Sequence, residues 1–100
     1  MTETQLSKSI RDTLERAGFW VERIFSGSAR VRGGFIHGAS NGTPDLMVLD
    51  PFGFLEVKLP GKDLENDQVL WHVKAAGLGH RIATVRSEEQ ALRTVMGWRK

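Results

Sequence analysis

The sequence predicts a small α/β fold, a mixed β-sheet flanked by helices, in the order helix, three or four strands, helix, strand, helix. Three observations carry this expectation. Apolar residues recur at helical spacing in three places, each opened by a capping residue or closed by glycine. Between them lie short runs rich in β-branched and aromatic residues, bounded by Gly and Pro. The 100 residues, 40% hydrophobic and 26% charged, suit one domain with one modest core, and no linker, repeat or low-complexity tract divides them.

Thr2 with Gln5 forms a capping-box pattern, followed by Leu6, Ile10, Leu14 and Ala17 at helical spacing. Gly18 stops the helix, which is expected over residues 3–17. Residues 19–25, Phe-Trp-Val-Glu-Arg-Ile-Phe, read as a strand. Ser26 to Gly42 carries five glycines and reads mostly as loop, with room for a short strand between Arg30 and Ile36. Asp45 to Leu49 and Phe54 to Lys58 flank the turn residues Pro51-Phe52-Gly53, which predicts an antiparallel hairpin. After the Pro60-Gly61 break, a second helix starts near Leu64, puts Val69, Leu70, Val73 and Ala76 on its core face, and ends at Gly77 or Gly79. Arg81 to Val85 is a further strand. Ser87 with Gln90 caps a last helix whose Leu92, Val95 and Met96 face the core.

Composition excludes several functions. No cysteine is present, so disulfide frameworks, thiol nucleophiles and Cys-ligated zinc are ruled out. The N-terminal residues lack the build of a secretory signal, and no apolar run approaches the ~18 residues of a membrane span. A cytoplasmic protein without a membrane partner is the expectation. Neither a Gly-x-Gly-x-x-Gly nor a Walker pattern occurs, so no nucleotide cofactor is implied. Net charge is only +2, but nine of the fourteen basic residues are arginine. The segment between Glu22 and Asp45 has no acidic residue while holding Arg23, Arg30 and Arg32. That strip suits phosphate contact; on charge alone, a solubilising loop explains it equally well.

The chemistry concentrates at the hairpin. Glu56 and Lys58 lie two apart on one strand and so share a face. In an antiparallel pair the start of the first strand lies beside the end of the second, which brings Asp45 next to them. Taken singly, each has a plain explanation: Asp45 as a turn residue, Glu56 with Lys58 as a solvated edge. Together they place two carboxylates where only an intervening cation relieves their repulsion. A hard divalent ion such as Mg²⁺, held by few carboxylates and several waters, meets that need.

Gly42-Thr43-Pro44-Asp45, then ten residues, then Glu56-Val57-Lys58, resembles the signature of the PD-(D/E)XK nuclease superfamily. The wider pattern is similar to its virus-type replication-repair nuclease (VRR-NUC) branch over nearly the whole chain. Glu3 with Leu6, Ile10, Leu14 and Gly18, Pro60-Gly61 after the strand, Gln68 with Trp71, Ala76-Gly77, and Val85-Arg86-Ser87 all fall in the family's order. The resemblance implies a restriction-endonuclease-like core of α-β-β-β-α-β-α order and metal-dependent hydrolysis of DNA phosphodiesters. It implies Mg²⁺, with Mn²⁺ able to substitute, on Asp45, Glu56 and the Val57 carbonyl, with Glu3 completing the acidic set directly or through water. Lys58 would meet the attacking water and the charge developing on phosphorus, and Gln68 a substrate oxygen or that water. The number of ions stays open.

The resemblance also assigns Arg23, Arg30 and Arg32 to DNA. His37, His72 and His80 read as loop, structural or surface residues, and Trp71 is the best candidate among the aromatics for stacking on a base. The expected activity is an endonuclease on branched DNA such as four-way (Holliday) junctions, working as a homodimer that pairs through Val95, Met96, Trp98 and Phe52 or Phe54. Rival readings are a monomeric flap, fork or duplex nuclease, a restriction-type enzyme, and a DNA-binding module that keeps the fold without cutting. Clustered carboxylates facing phosphate argue against the last, and 100 residues leave little room for a separate specificity element.

Overall fold

The computed structural model describes residues 1–25, 28–31 and 34–99, with backbone alone at 28–31 and 34–37. Its elements are α1 (Glu3–Arg16), β1 (Val21–Arg23), β2 (Ser28–Val31), β3 (Gly34–His37), β4 (Leu46–Leu49), β5 (Phe52–Val57), α2 (Asn66–Gly77), β6 (Ile82–Val85) and α3 (Glu88–Trp98). β1, β4, β5 and β6 form one sheet in that order. The first two pairings are antiparallel and β5–β6 is parallel, so the sheet is mixed and α2 is the crossover that parallel strands require.

Local sequence signals account for most element ends. The Thr2 hydroxyl accepts from Gln5 N–H while Gln5 Oε1 accepts from Thr2 N–H, closing the capping box at α1. Ser87 accepts from Gln90 N–H at α3, but the reciprocal bond shifts by one residue: Gln90 Oε1 accepts from Arg86 N–H. β1 is shorter than the expected strand over 19–25: its pairing with β4 covers Val21–Arg23, and Phe19 N–H still donates to the Leu14 carbonyl at the end of α1. The glycine-rich segment expected to be mostly loop instead holds a two-stranded hairpin, with Arg30 opposite Phe35.

The core lies on one face of the four-stranded sheet. Leu6, Ile10 and Leu14 of α1 and Ala91 and Val95 of α3 pack there on Val48, Leu55, Val57 and Val85. Trp98 closes over Gly53, where a Cβ would stand 2.4 Å from the indole ring. Helix α2 covers the opposite face: Trp71 meets Phe54 edge to face at 5.0 Å, an arrangement worth about 0.5–1.5 kcal/mol beyond its buried area.

One expected core face is wrong, and a second is wrong at one residue. Val69, Leu70, Val73 and Ala76 of α2 are exposed, with Leu70 and Val73 each 64% accessible. The stripe turned to the sheet is Gln68, Trp71, His72 and Ala75, of which only Ala75 is buried. On α3, Val95 is buried and Leu92 half-buried, but Met96 is exposed. Helical spacing finds an apolar stripe; it does not say which stripe the tertiary structure uses.

The loop leading into β4 is fixed by Gly42, which has φ +89° and sits against the first turn of α2. A Cβ there would stand 2.4 Å from the Asp67 carbonyl oxygen. Gly61, at φ +83°, has open space around it. Gly61→Ala should therefore cost about 1–2 kcal/mol for the left-handed backbone alone. Gly42→Ala should cost about 1–3 kcal/mol more, from overpacking. Urea denaturation of both variants checks this, and equal costs would contradict the close approach.

Candidate metal centre

The register of the β4–β5 hairpin assembles the site. Leu46 pairs with Leu55, and one further step puts Asp45 opposite Glu56. The Val57 N–H donates to Asp45 Oδ2 at 2.7 Å, which fixes that carboxylate at the open end of the hairpin. Pro44, itself buried, helps by holding the approach extended. Glu56 and Lys58 are 2% and 6% exposed, although both are charged types that are almost never buried without a partner. They share the strand face that carries Phe54, as alternation requires.

Glu3 enters from the first turn of α1. Its Oε2 accepts from Leu59 N–H at 3.3 Å, and it lines an open cavity of about 510 Å³ together with Lys58, Lys62 and Glu65. The Leu59 carbonyl accepts from Arg86 Nη1 at 2.9 Å, and the same atom donates to the Lys62 carbonyl. The segment leaving Lys58 is thus held from both sides.

Glu56 shows what this crowding does. Its carboxyl is pushed up from 4.5 to about 9, first by burial, then by a hydrogen bond and repulsion from Asp45. Lys58 opposes the rise and the more distant Glu3 adds to it. Glu56 Oε1 is buried with no hydrogen-bond partner. Such an atom costs about 1–3 kcal/mol, so the fold keeps Glu56 here against its own stability. A buried carboxyl held beside a second carboxylate fits a divalent cation. Among the described residues no group of three His, Cys, Asp or Glu side chains gathers for a metal. The fit is therefore to an ion that takes one or two carboxylates and keeps its waters, which is the habit of Mg²⁺.

Of the residues singled out from sequence, Asp45, Glu56, Val57 and Lys58 stand together on the hairpin, and Glu3 reaches the same end of β5. Gln68 faces the sheet from α2, but its Oε1 accepts from Glu65 N–H in a capping box, so its amide nitrogen is the atom left for other work. Arg23 lies apart, at the sheet edge. It lines a groove of about 320 Å³ with Lys8 and Arg11, beside Thr4 and Leu46, the chain neighbours of Glu3 and Asp45. Arg32 lies outside the described residues, and so do the side chains of Arg30 and His37. Trp71 is committed to Phe54 rather than held free for stacking.

Sequence reasoning missed His72. It stands 3.8 Å from Glu56, Nε2 to Oε1, and burial lowers its pKa. A signal was present: Gln68 and His72 are four apart on one helix, so a helix that presents the first presents the second.

A mixed sheet whose hairpin gathers two carboxylates and a lysine, flanked by helices on both faces, has the restriction-endonuclease-like arrangement expected from the sequence pattern. Within that class, a solved VRR_NUC domain structure superposes on this chain with a TM-score of 0.69 over 94% of each chain, at 23% identity. The chain therefore has the VRR-NUC fold. β1, β4 and β5 supply the three strands expected before α2, and the β2–β3 hairpin is an addition to that order. No protein-family model and no curated protein matches the sequence. No helix among the described residues is long and apolar enough to cross a membrane.

The raised pKa of Glu56 fixes a sign. The folded protein keeps a proton that the unfolded chain releases above pH 4.5. This contribution to stability is complete below that pH and is lost as pH rises toward about 9. Without divalent metal, wild-type Tm should fall across that window relative to Glu56→Gln, which keeps the neutral form. Each kcal/mol of difference appears as about 4–8 °C in a domain of this size. Parallel Tm curves in EDTA would contradict the assignment.

Proposed function

We propose that this protein is a metal-dependent endonuclease that hydrolyses DNA phosphodiesters. The observation that carries the reading is the buried Glu56 carboxyl set beside Asp45 and Lys58 on a VRR-NUC fold. Asp45 and Glu56 would hold Mg²⁺ or Mn²⁺ with the Val57 carbonyl, and Glu3 would join through water. When bound, the ion supplies Lewis-acid neutralisation of the phosphodiester and lowers the pKa of a water.

The chain's own residues do the rest. Asp45 keeps one oxygen on Val57 N–H and has the other to offer forward. Lys58, largely buried on the same strand face as Glu56, places a fixed positive charge where negative charge grows on the phosphoryl oxygens. Gln68 offers its amide nitrogen to a substrate oxygen. Lys8, Arg11 and Arg23 line the groove at the sheet edge and would supply phosphate contacts along the duplex. A module that only binds DNA gains nothing from buried carboxylates facing phosphate.

The preferred substrate in this reading is branched DNA, with four-way junctions cut by a homodimer. One chain carries one centre, and resolving a junction takes two symmetry-related nicks. The pairing residues expected from sequence need revision. Val95 is wholly buried and Trp98 packs on Gly53, whereas Met96 and Phe52 are exposed and α2 adds Val69, Leu70 and Val73.

Cleavage of flaps, forks, four-way junctions and linear duplex in Mg²⁺ or Mn²⁺ is the deciding experiment, with light scattering to give the oligomeric state. Asp45→Asn and Glu56→Gln should abolish cutting of every substrate while remaining folded. Lys58→Ala should cut about 10²–10³-fold more slowly with Mn²⁺ binding retained. Wild-type rates in either carboxamide variant would refute the proposal.

Changing Lys8 and Arg23 together to Gln should reduce the slope of log binding constant against log salt by about 2, because two fewer counterions are released. An unchanged slope on a duplex would remove the groove from the DNA path.

A further inference from the structure

Two buried polar atoms face each other without partners: Glu56 Oε1 and His72 Nε2, 3.8 Å apart. That separation exceeds a hydrogen bond, for which N–H···O distances run to about 3.2 Å. Both atoms are closed to solvent, so bulk water does not satisfy either. Nearly all buried polar atoms in native proteins find a partner, and two orphans opposite one another mark a contact the fold holds almost made.

The helix that carries His72 is oriented at a cost in apolar burial. α2 has an apolar stripe in Val69, Leu70 and Val73, and leaves it exposed. The stripe turned inward instead brings Gln68 and His72 to the sheet. Trp71 against Phe54 and the buried Ala75 fix the helix on either side of His72, so the imidazole is placed by packing rather than by its own contacts. What this orientation adds, relative to the greasier one, is an amide and an imidazole beside the carboxylates.

We propose that His72 is a positioning residue: its Nε2–H donates to Glu56 Oε1 and sets the direction in which that carboxylate presents itself to a cation. The inference rests on the metal reading of Asp45 and Glu56. It places His72 behind the ligand rather than in the ligand set, because no three such side chains gather among the described residues. Partners of this kind orient ligating carboxylates, and losing one typically weakens metal binding about 10–100-fold.

Calorimetric titration of the full chain with Mn²⁺, in wild type, Asp45→Asn, His72→Leu, His72→Asn and His72→Gln, with Tm recorded for each, tests this. Leu and Asn at position 72 should weaken Mn²⁺ binding about 10–100-fold. Gln, whose amide nitrogen extends about as far as Nε2, should recover most of the loss, whereas Asn is too short to reach. Should the Leu chain fail to fold, the contrast between Asn and Gln decides. If all three His72 variants bind Mn²⁺ like wild type while Asp45→Asn does not, the positioning role is overturned and the metal centre stands. Gln as weak as Asn also overturns the role, since the loss would then come from packing. A wild-type chain that binds no Mn²⁺ overturns the metal reading and this inference with it.

Discussion

The 2.7 Å hydrogen bond from Val57 N–H to Asp45 Oδ2 is the constraint on which the arrangement depends. It lies where the β4–β5 ladder runs out, at the end a hairpin would otherwise fray. A carboxylate acceptor makes it stronger than a neutral bond, and it replaces the ladder bond that β4 no longer provides. The register that puts Asp45 opposite Glu56 is thereby secured at the position where it matters. β5 in turn sets β6, whose Val85 carbonyl accepts from Lys58 N–H, so the lysine's place follows from the same strand.

Against that constraint the two sheet faces divide the work. One is a dry layer of aliphatic residues from α1, α3 and four strands. The other carries Phe54 and Trp71 and then gives way to Glu56, Lys58, Gln68 and His72. Burying Glu56 beside Asp45 is unfavourable whenever both are ionised, and the free energy that offsets it comes from the aliphatic face. The half-polar inward stripe of α2 belongs to the same exchange. This helix gives up the burial of three large apolar residues and places two polar ones at the centre.

Much of this was legible in the chain, and the reason is locality. Capping at Thr2 and Ser87 depends on residues three apart, and the hairpin on a turn between two alternating runs. Alternation then put Glu56 and Lys58 on one face and the antiparallel sense put Asp45 beside them, so the placement of three candidate residues followed from strand geometry alone. What failed required knowledge of distant partners. Which stripe of α2 turns inward depends on Phe54 and Glu56, more than ten residues away in sequence, and the more apolar stripe was the wrong guide. The glycines between Gly27 and Gly42 signal turns, but they do not say that the segments between them pair with each other. His72 has no metal-ligand spacing of its own. Its place follows only once Gln68 is known to face the sheet.

Leu59 shows how tightly the remote parts of the chain are drawn to this centre. Its N–H is held by Glu3, from the first turn of α1, and its carbonyl by Arg86, just beyond β6. The two peptide groups that flank one residue are thus held by an acid and a base that lie 56 and 27 residues away from it. Through one carboxylate oxygen Glu3 holds the exit of β5. Glu3 also stands in the first turn of α1, at the positive end of the helix dipole. An acid so placed contributes negative charge to the centre without the burial that Glu56 suffers. The division is physically economical: Glu56 is set deep by the sheet with Asp45 half-buried beside it, while Glu3, on the first turn of α1, keeps the strand end that bears Lys58 in register.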